Sequence, residues 1–297
     1  MCTQYQLTVV EGTAGLGKET IATLVKHSPE HVIFTGRNAK AAEEVISEAK
    51  VIKPAVKVTF IECDQSSLDS VRSAANQFLE LADQLDIFIA NAGIMGGEPG
   101  VSKDGYEIQF AVNYLSHALL IKLLLPTMER TASTRKDIRI VLLSSNGFRF
   151  TPTGGIIFQT LKSDQTDLPM GMMQAKWLRY GQSKLAMVLL AKDLAQRHPL
   201  VTAVALHPGV INTGLIEDKP IMDRWFLKLA TFGQTVPLNQ GTWNTCWAAT
   251  ASGGGQLKSG GMYEPVGVAM KDTKDSESAS LREQLRDWTE KELSLYL

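Results

Sequence analysis

Cysteine is scarce in this chain: Cys2, Cys63 and Cys246 are the only three in 297 residues. They are odd in number and widely spaced, with no Cys-x-x-Cys and no Cys/His cluster. That pattern excludes a disulfide scaffold and offers no metal site, so the thiols read as buried or free in a reducing compartment. An excess of one charge is missing too, with 30 Lys and Arg against 31 Asp and Glu and a net charge of −1. Such a balance argues against a nucleic-acid partner held by bulk charge. Long apolar runs are also absent. The greasiest stretch, near Leu119 to Leu125, is too short to cross a bilayer and carries Lys122, so no transmembrane segment is expected. No charged and then apolar leader precedes the first strand-like run, so no signal peptide and a cytoplasmic location are expected. Repeats, low-complexity tracts and a linker between domains are lacking as well.

What is present is 44% apolar and 21% charged, the balance of a soluble globular enzyme. Short apolar runs alternate with helical patterns. Strands are expected at 6–10, 31–35, 56–61, 85–90, 138–143, 201–206 and 261–264. Helices are expected at 16–26, 39–50, 68–82, 106–130, 176–197, 239–251 and 280–293. Repeated strand–helix–strand units imply an α/β fold: one Rossmann-type, doubly wound domain over 1–297, with a parallel sheet of about seven strands and helices on both faces. Two segments stand outside the alternation, at about 146–174 and about 213–237, and long irregular segments are often functional.

The chemistry concentrates at strand ends. The first strand runs into Gly12-Thr13-Ala14-Gly15-Leu16-Gly17 and a helix, where backbone N–H groups and the positive helix end can hold a phosphate. A glycine string alone says little; its place between the first strand and first helix is what suits a dinucleotide. Arg37 follows the second strand, 20 residues after Gly17, where an NAD site would offer an acid. A guanidinium there suits a 2′-phosphate, against the plainer reading of a solvated surface arginine. Asp64 and Gln65 follow the third strand. Asp64 can meet an adenine amino group, cap the next helix, or do both. Asn91-Ala92-Gly93 ends the fourth strand with small residues beside a cofactor path, or simply with a turn. Asn113 lies inside a greasy helix and needs partners, as any core amide does. Ser144-Ser145 closes the fifth strand at the ligand-binding edge. His207 reads as structural, and Pro208, Gly209 and Val210 turn the chain where a nicotinamide would lie, with Thr213 in reach of its carboxamide. Finally, Tyr180 and Lys184 stand four apart on one helical face. A free phenol titrates near ~10. A neighbouring ammonium is expected to lower that value and make the pair an acid/base device.

In this order and spacing, the motifs resemble the short-chain dehydrogenase/reductase family over nearly the whole chain. The texture of 112–117 and 180–186, and the long gap from Ser145 to Tyr180, is similar to the retinol-dehydrogenase-like branch and to fungal reductases of secondary metabolism. The resemblance implies a tetrad of Asn113, Ser145, Tyr180 and Lys184. It implies an NADP(H)-dependent ketoreductase in which Tyr180 protonates the substrate oxygen, Ser145 polarises it, Lys184 also bonds the nicotinamide ribose and Asn113 holds a water. A homo-oligomer through the family's usual helix interface stays an open alternative, because the insertion before Tyr180 can alter that interface. Trp225, Phe226, Leu227, Leu229 and Phe232 fall where the family places a substrate lid, and Met170, Met172 and Met173 lie in the other loop. Together they suggest a bulky, hydrophobic small-molecule substrate, or else packing on the core or on another copy.

One residue breaks the pattern. Glu11 stands where the family has its first glycine. A carboxylate beside a pyrophosphate repels it by up to ~4 kcal/mol at 4 Å and an effective dielectric of about 20. A positive φ there would add strain of ~1–3 kcal/mol. Gly12 taking the turn, or Glu11 pointing away, would soften both. Glu11 is the one support for an alternative reading, a non-redox isomerase, cyclase or dehydratase with weakened cofactor binding. A non-catalytic binding protein is a third, which the intact tetrad disfavours.

Overall fold

The computed structural model describes residues 5–168, 172–211, 235–251 and 257–297. Strand β1 (Gln6–Val10) leads to helix α1 (Gly15–Val25), β2 (His31–Gly36) to α2 (Ala39–Ile52), and β3 (Lys57–Glu62) to α3 (Leu68–Leu81). Then β4 (Ile87–Ala90) leads to the long α4 (Ile108–Thr134), β5 (Ile138–Leu143) to α5 (Met172–Arg197), and β6 (Val201–Leu206) to α6 (Trp243–Thr250). The strands β7 (Met262–Glu264) and β8 (Val268–Ala269) and helix α7 (Ala279–Leu293) complete the chain.

The sheet runs β3-β2-β1-β4-β5-β6-β7-β8. Among the described residues seven strands are parallel, and an eighth, β8, turns back antiparallel on β7, a two-residue addition to the expected seven. Side chains alternate along a strand, so β2, β4, β5 and β6 each feed two cores. Ile33, Phe88, Ile140 and Leu142 pack with α3, α4 and α5 on one face. Val32, Phe34, Ile89 and Val141 pack with α1, α2 and α6 on the other. The strand order reverses between β1 and β4, which opens a crevice at the carboxyl ends of the strands, the place where such sheets bind ligands.

Local chemistry explains the helix starts. Asn38 accepts from Ala41 N at the start of α2, and Ser67 accepts from Ser70 N at the start of α3. Asp64 therefore does not cap α3. Its carboxylate accepts instead from the N–H and hydroxyl of Ser66.

Helix α4 corrects another expectation. It is continuous for 27 residues and is long and apolar enough to cross a membrane by length and composition alone. The packed structure explains why it need not: 83% of its apolar window is buried against the rest of the protein. A π-helical turn at Ala111–Leu115 interrupts its regular hydrogen bonding around Asn113. Of the anticipated lid, 212–234 lies outside the described residues, and with it Thr213, Trp225, Phe226, Leu227, Leu229 and Phe232. Met170 lies outside them as well, and nothing is described of the side chains of Met172 and Met173.

Candidate active site

Helix α5 carries Tyr180 and Lys184 one turn apart, with the Lys184 Nζ 5.7 Å from the centre of the Tyr180 ring. Lys184 is buried, and its ammonium donates to the Leu143 carbonyl at the end of β5, 2.9 Å away. Burial brings the lysine down to about 8, well below an ordinary amine. Burial also pushes the Tyr180 phenol up to about 12, and its hydrogen bond with the Ser145 hydroxyl pulls in the opposite direction. The net shift of the phenol is upward, opposite to the expected depression, because burial outweighs the help of the neighbouring ammonium. The ammonium is engaged by the Leu143 carbonyl, and desolvation of the phenolate dominates.

Ser145 follows β5, and its Oγ also accepts the Gly147 N–H at 3.1 Å. The Tyr180 ring packs closely on that turn: a Cβ on Gly147 would sit 2.7 Å from Tyr180 Cε1. Gly181 packs so closely on the Phe150 carbonyl that no side chain fits there. Both glycines went unread in the sequence, although a glycine inside a helix pattern, as Gly181 is, asks for a packing reason.

Asn113 joins this group from α4. Its Oδ1 accepts from Ile94 N at 2.7 Å, and its Nδ2 donates to Ile94 O at 2.8 Å and to Ser183 Oγ at 2.9 Å. The π turn is what places a core amide at this point. Gly93 closes the set, since a Cβ there would meet Lys184 Nζ at 3.2 Å and Asn113 Oδ1 at 3.4 Å. Ala92 is buried beside it and its carbonyl accepts from His117 Nε2–H at 3.0 Å. Asn113, Ser145, Tyr180 and Lys184 thus converge on one end of the sheet.

The glycine-rich turn lies along the same sheet edge. Glu11 itself adopts a positive φ of 61°, so Gly12 does not take over the turn. The Glu11 N–H donates to Thr35 Oγ1 at 3.1 Å and the Gly12 N–H to Thr35 O at 2.8 Å. Gly17 packs on the Glu11 carbonyl with no room for a Cβ. Gly15 has a φ of 52° and open space where its Cβ would stand. Leu16 packs partly buried on the core, and the exposed Ala14 gives the α1 N-terminus no side-chain cap. An uncapped helix start behind an open glycine fits a phosphate.

The Glu11 carboxylate turns to Thr13, whose hydroxyl donates to Oε1 at 3.1 Å. Burial raises its pKa, while Thr13 and the Arg37 guanidinium lower it and Asp64 raises it further. Arg37 is exposed beyond β2. Burial alone would push Asp64 up, yet the bonds from Lys103 and Ser66 hold it down at about 2, with Lys103 Nζ 2.8 Å away. Gln65 is buried beside Cys63, and its Oε1 has no hydrogen-bond partner among the described residues. Asn91 Nδ2 donates to the Glu11 carbonyl at 3.1 Å, while its buried Oδ1 is likewise unpaired. The open glycine and the uncapped helix start at the crevice together fit the phosphates of a nicotinamide dinucleotide. After β6, buried His207 bonds through its carbonyl to Asn244 Nδ2, as a structural residue would. Pro208, Gly209 and Val210 then turn the chain, with Gly209 at a φ of 97° and the Val210 carbonyl accepting from Val236 N.

The family profile of short chain dehydrogenases matches residues 6–163. The chain belongs to that family. It is 34% identical over 82% of its length, and 71% of the relative's, to an uncharacterised oxidoreductase of Schizosaccharomyces pombe. It is 32% identical over 81% of its length, and 71% of the relative's, to the polyprenol dehydrogenase of Homo sapiens. Among solved structures, the Pseudomonas aeruginosa RhlG/NADP active-site complex shares the fold, with a TM-score of 0.64, 23% identity and coverage of 89% of this chain and 95% of that one. The protein is therefore an oxidoreductase of the short-chain dehydrogenase family.

Proposed function

We propose that this short-chain dehydrogenase reduces a ketone, or oxidises the matching secondary alcohol, of a bulky apolar molecule with NADP(H). The observation that carries the reading is the Tyr180 phenol, bonded to Ser145 and one turn from Lys184, at the carboxyl edge of the sheet. A nicotinamide supplies or accepts the hydride. Tyr180 holds the proton that the substrate oxygen needs, and with a titration point at about 12 it is charged with that proton at neutral pH. Ser145 donates to the same oxygen, and Lys184 stabilises the phenolate left after transfer. The Leu143 carbonyl fixes the position of the Lys184 ammonium.

The preference for NADP rests on exposed Arg37 at the end of β2, where a guanidinium suits a 2′-phosphate. The bound NADP of the RhlG structure supports a phosphate-bearing cofactor on this fold. An apolar substrate is supported by the name of the human relative, a polyprenol dehydrogenase. The test is titration of purified protein with NADPH and NADH, followed by a panel of apolar ketones. Tighter binding of NADPH and its oxidation by panel members are expected. Equal binding of the two cofactors removes the NADP assignment, and no turnover across the panel removes the ketoreductase one.

A further inference from the structure

Arg179 precedes Tyr180 on α5, about 100° round the helix. Its side chain is 3% exposed and faces Glu107, which is 1% exposed, with Arg179 Nε 3.6 Å from Glu107 Oε1. Burial pushes the Glu107 carboxyl up to about 7, against the pull of its backbone bonds and of Arg179. A buried ion pair is a poor source of stability, because desolvating both ions offsets most of their attraction. Its geometry is better explained by what it holds in place.

Glu107 opens α4. Its Oε2 accepts from Phe110 N at 2.6 Å, and its own N–H donates to Leu161 O at 2.8 Å. Arg179 Nη1 reaches the carbonyl of Gln165 at 3.3 Å, a residue held at a φ of 52°. Gln165 Oε1 accepts from Gln182 Nε2 at 2.9 Å, and Gln182 Oε1 accepts from Ile157 N at 2.8 Å. From α4, Gln109 spans Gly96 N and the Lys176 carbonyl, at 2.8 and 3.2 Å. The network therefore grips α5 at 176, 179 and 182, on both sides of Tyr180 along the helix. It joins that turn to the start of α4 and to the segment 157–165.

We propose that Glu107, acting through Arg179, is a positioning residue for Tyr180, setting the rotation of α5 so that the phenol lies on the Gly147 turn beside Ser145. The proposal rests on the reading of Tyr180 as proton donor, but its first readout does not need turnover. Glu107→Gln alone leaves Arg179 buried without its counter-charge and can unfold the protein. The double variant Glu107→Gln/Arg179→Met removes both charges and fills the space with an apolar chain of adaptable shape.

The experiment is carbon NMR of protein labelled at tyrosine Cζ. The chain has six tyrosines, and the Tyr180 signal is the one lost in Tyr180→Phe. The double variant should melt close to the unmutated protein and bind NADPH within about twofold of it, with the Tyr180 resonance displaced or broadened. On a ketone turned over by the unmutated protein, kcat should fall about tenfold to a hundredfold with KM for NADPH unchanged, as expected for a misplaced reacting group. Arg179→Lys keeps the charge but loses the fork that spans Glu107 and the Gln165 carbonyl, and should show a smaller displacement of the same kind. A Tyr180 resonance that superimposes on that of the unmutated protein in either folded variant overturns the proposal, as does a displaced resonance with unchanged kcat. Failure to bind NADPH or to turn over any ketone in the unmutated protein counts against the proposed function alone, since the resonance is read without either.

Discussion

The Tyr180 end of the crevice and the phosphate end are built to different standards. At the first, Asn113 is held by Ile94 and Ser183 and Lys184 by the Leu143 carbonyl, bonds that tie α4, β5 and α5 together. At the second, Glu11 occupies a glycine-like φ of 61° and sets a half-buried carboxylate between Thr13 and the field of Arg37. The contrast suggests that proton transfer and cofactor grip are separable here. Changes at one end should then leave the other almost untouched.

The largest effect is expected at Tyr180. Tyr180→Phe should lower kcat by about a hundredfold to ten-thousandfold, the usual worth of a positioned acid, with NADPH affinity preserved. Turnover assays and cofactor titration on one variant check both halves, and an active variant would remove the phenol from the mechanism. Next is Arg37→Ala, which should raise the NADPH dissociation constant by one to two decades, about 1.5–3 kcal/mol for a charge-assisted phosphate bond, and leave NADH nearly unaffected. Calorimetry with both cofactors decides it, and a parallel loss for NADH would make Arg37 a general structural residue.

Much of this division was legible in the residues alone. Short apolar runs marked seven strands, and the spacing of Tyr180 and Lys184 marked the helix face they share. Four features were hidden because they depend on tertiary contacts. The two-residue β8 is exposed and too short to carry a period. The π turn at Asn113 leaves no mark in residue spacing. The rise of the Tyr180 phenol comes from burial under segments distant in sequence, where local reasoning saw only the neighbouring ammonium. The Glu107–Arg179 pair joins the start of one helix to the middle of another. By contrast, Ser67 stood directly before a helix expected from residue 68, so the cap assigned in part to Asp64 could have been read from that boundary. Glu11 was recognised as the departure, and the structure supplies its φ and the direction of its side chain.

A middle-sized effect concerns pH. Lys184, lowered by burial to about 8, is an ammonium below that pH and neutral above it, while Tyr180 at about 12 keeps its proton throughout. Ketone reduction needs the protonated phenol and the cation that stabilises its conjugate base. Its kcat/KM should therefore be level below about 8 and fall roughly tenfold per unit above it. Lys184→Arg keeps its charge over the whole range and should abolish that limb, whatever its basal rate. A pH–rate profile of the two proteins checks this, and a limb that persists in the variant belongs to another group.

The smallest expected effect is at Glu11, where two physical causes can be told apart. Strain at positive φ is present with or without cofactor, so its relief in Glu11→Gly belongs to stability. That gain of ~1–3 kcal/mol is reduced by the ~0.5–1 kcal/mol of extra chain entropy that glycine brings. Repulsion of a phosphate exists only with cofactor bound, so its relief belongs to affinity. Partly screened by Arg37 and Thr13, it should be worth roughly 1 kcal/mol, or about fivefold in the NADPH dissociation constant. Glu11→Gln keeps the backbone strain and removes the charge. If repulsion governs affinity, Gln and Gly should tighten NADPH alike, while only Gly raises the melting temperature. Turnover at saturating NADPH should hardly change in either, because Glu11 bonds to Thr13 and Thr35 and not to the Tyr180 group. Weaker NADPH binding in Glu11→Gln would show the opposite, that the carboxylate orders Thr13 and Arg37 for the cofactor, and the two ends of the crevice would then be alike in keeping only groups that serve the reaction.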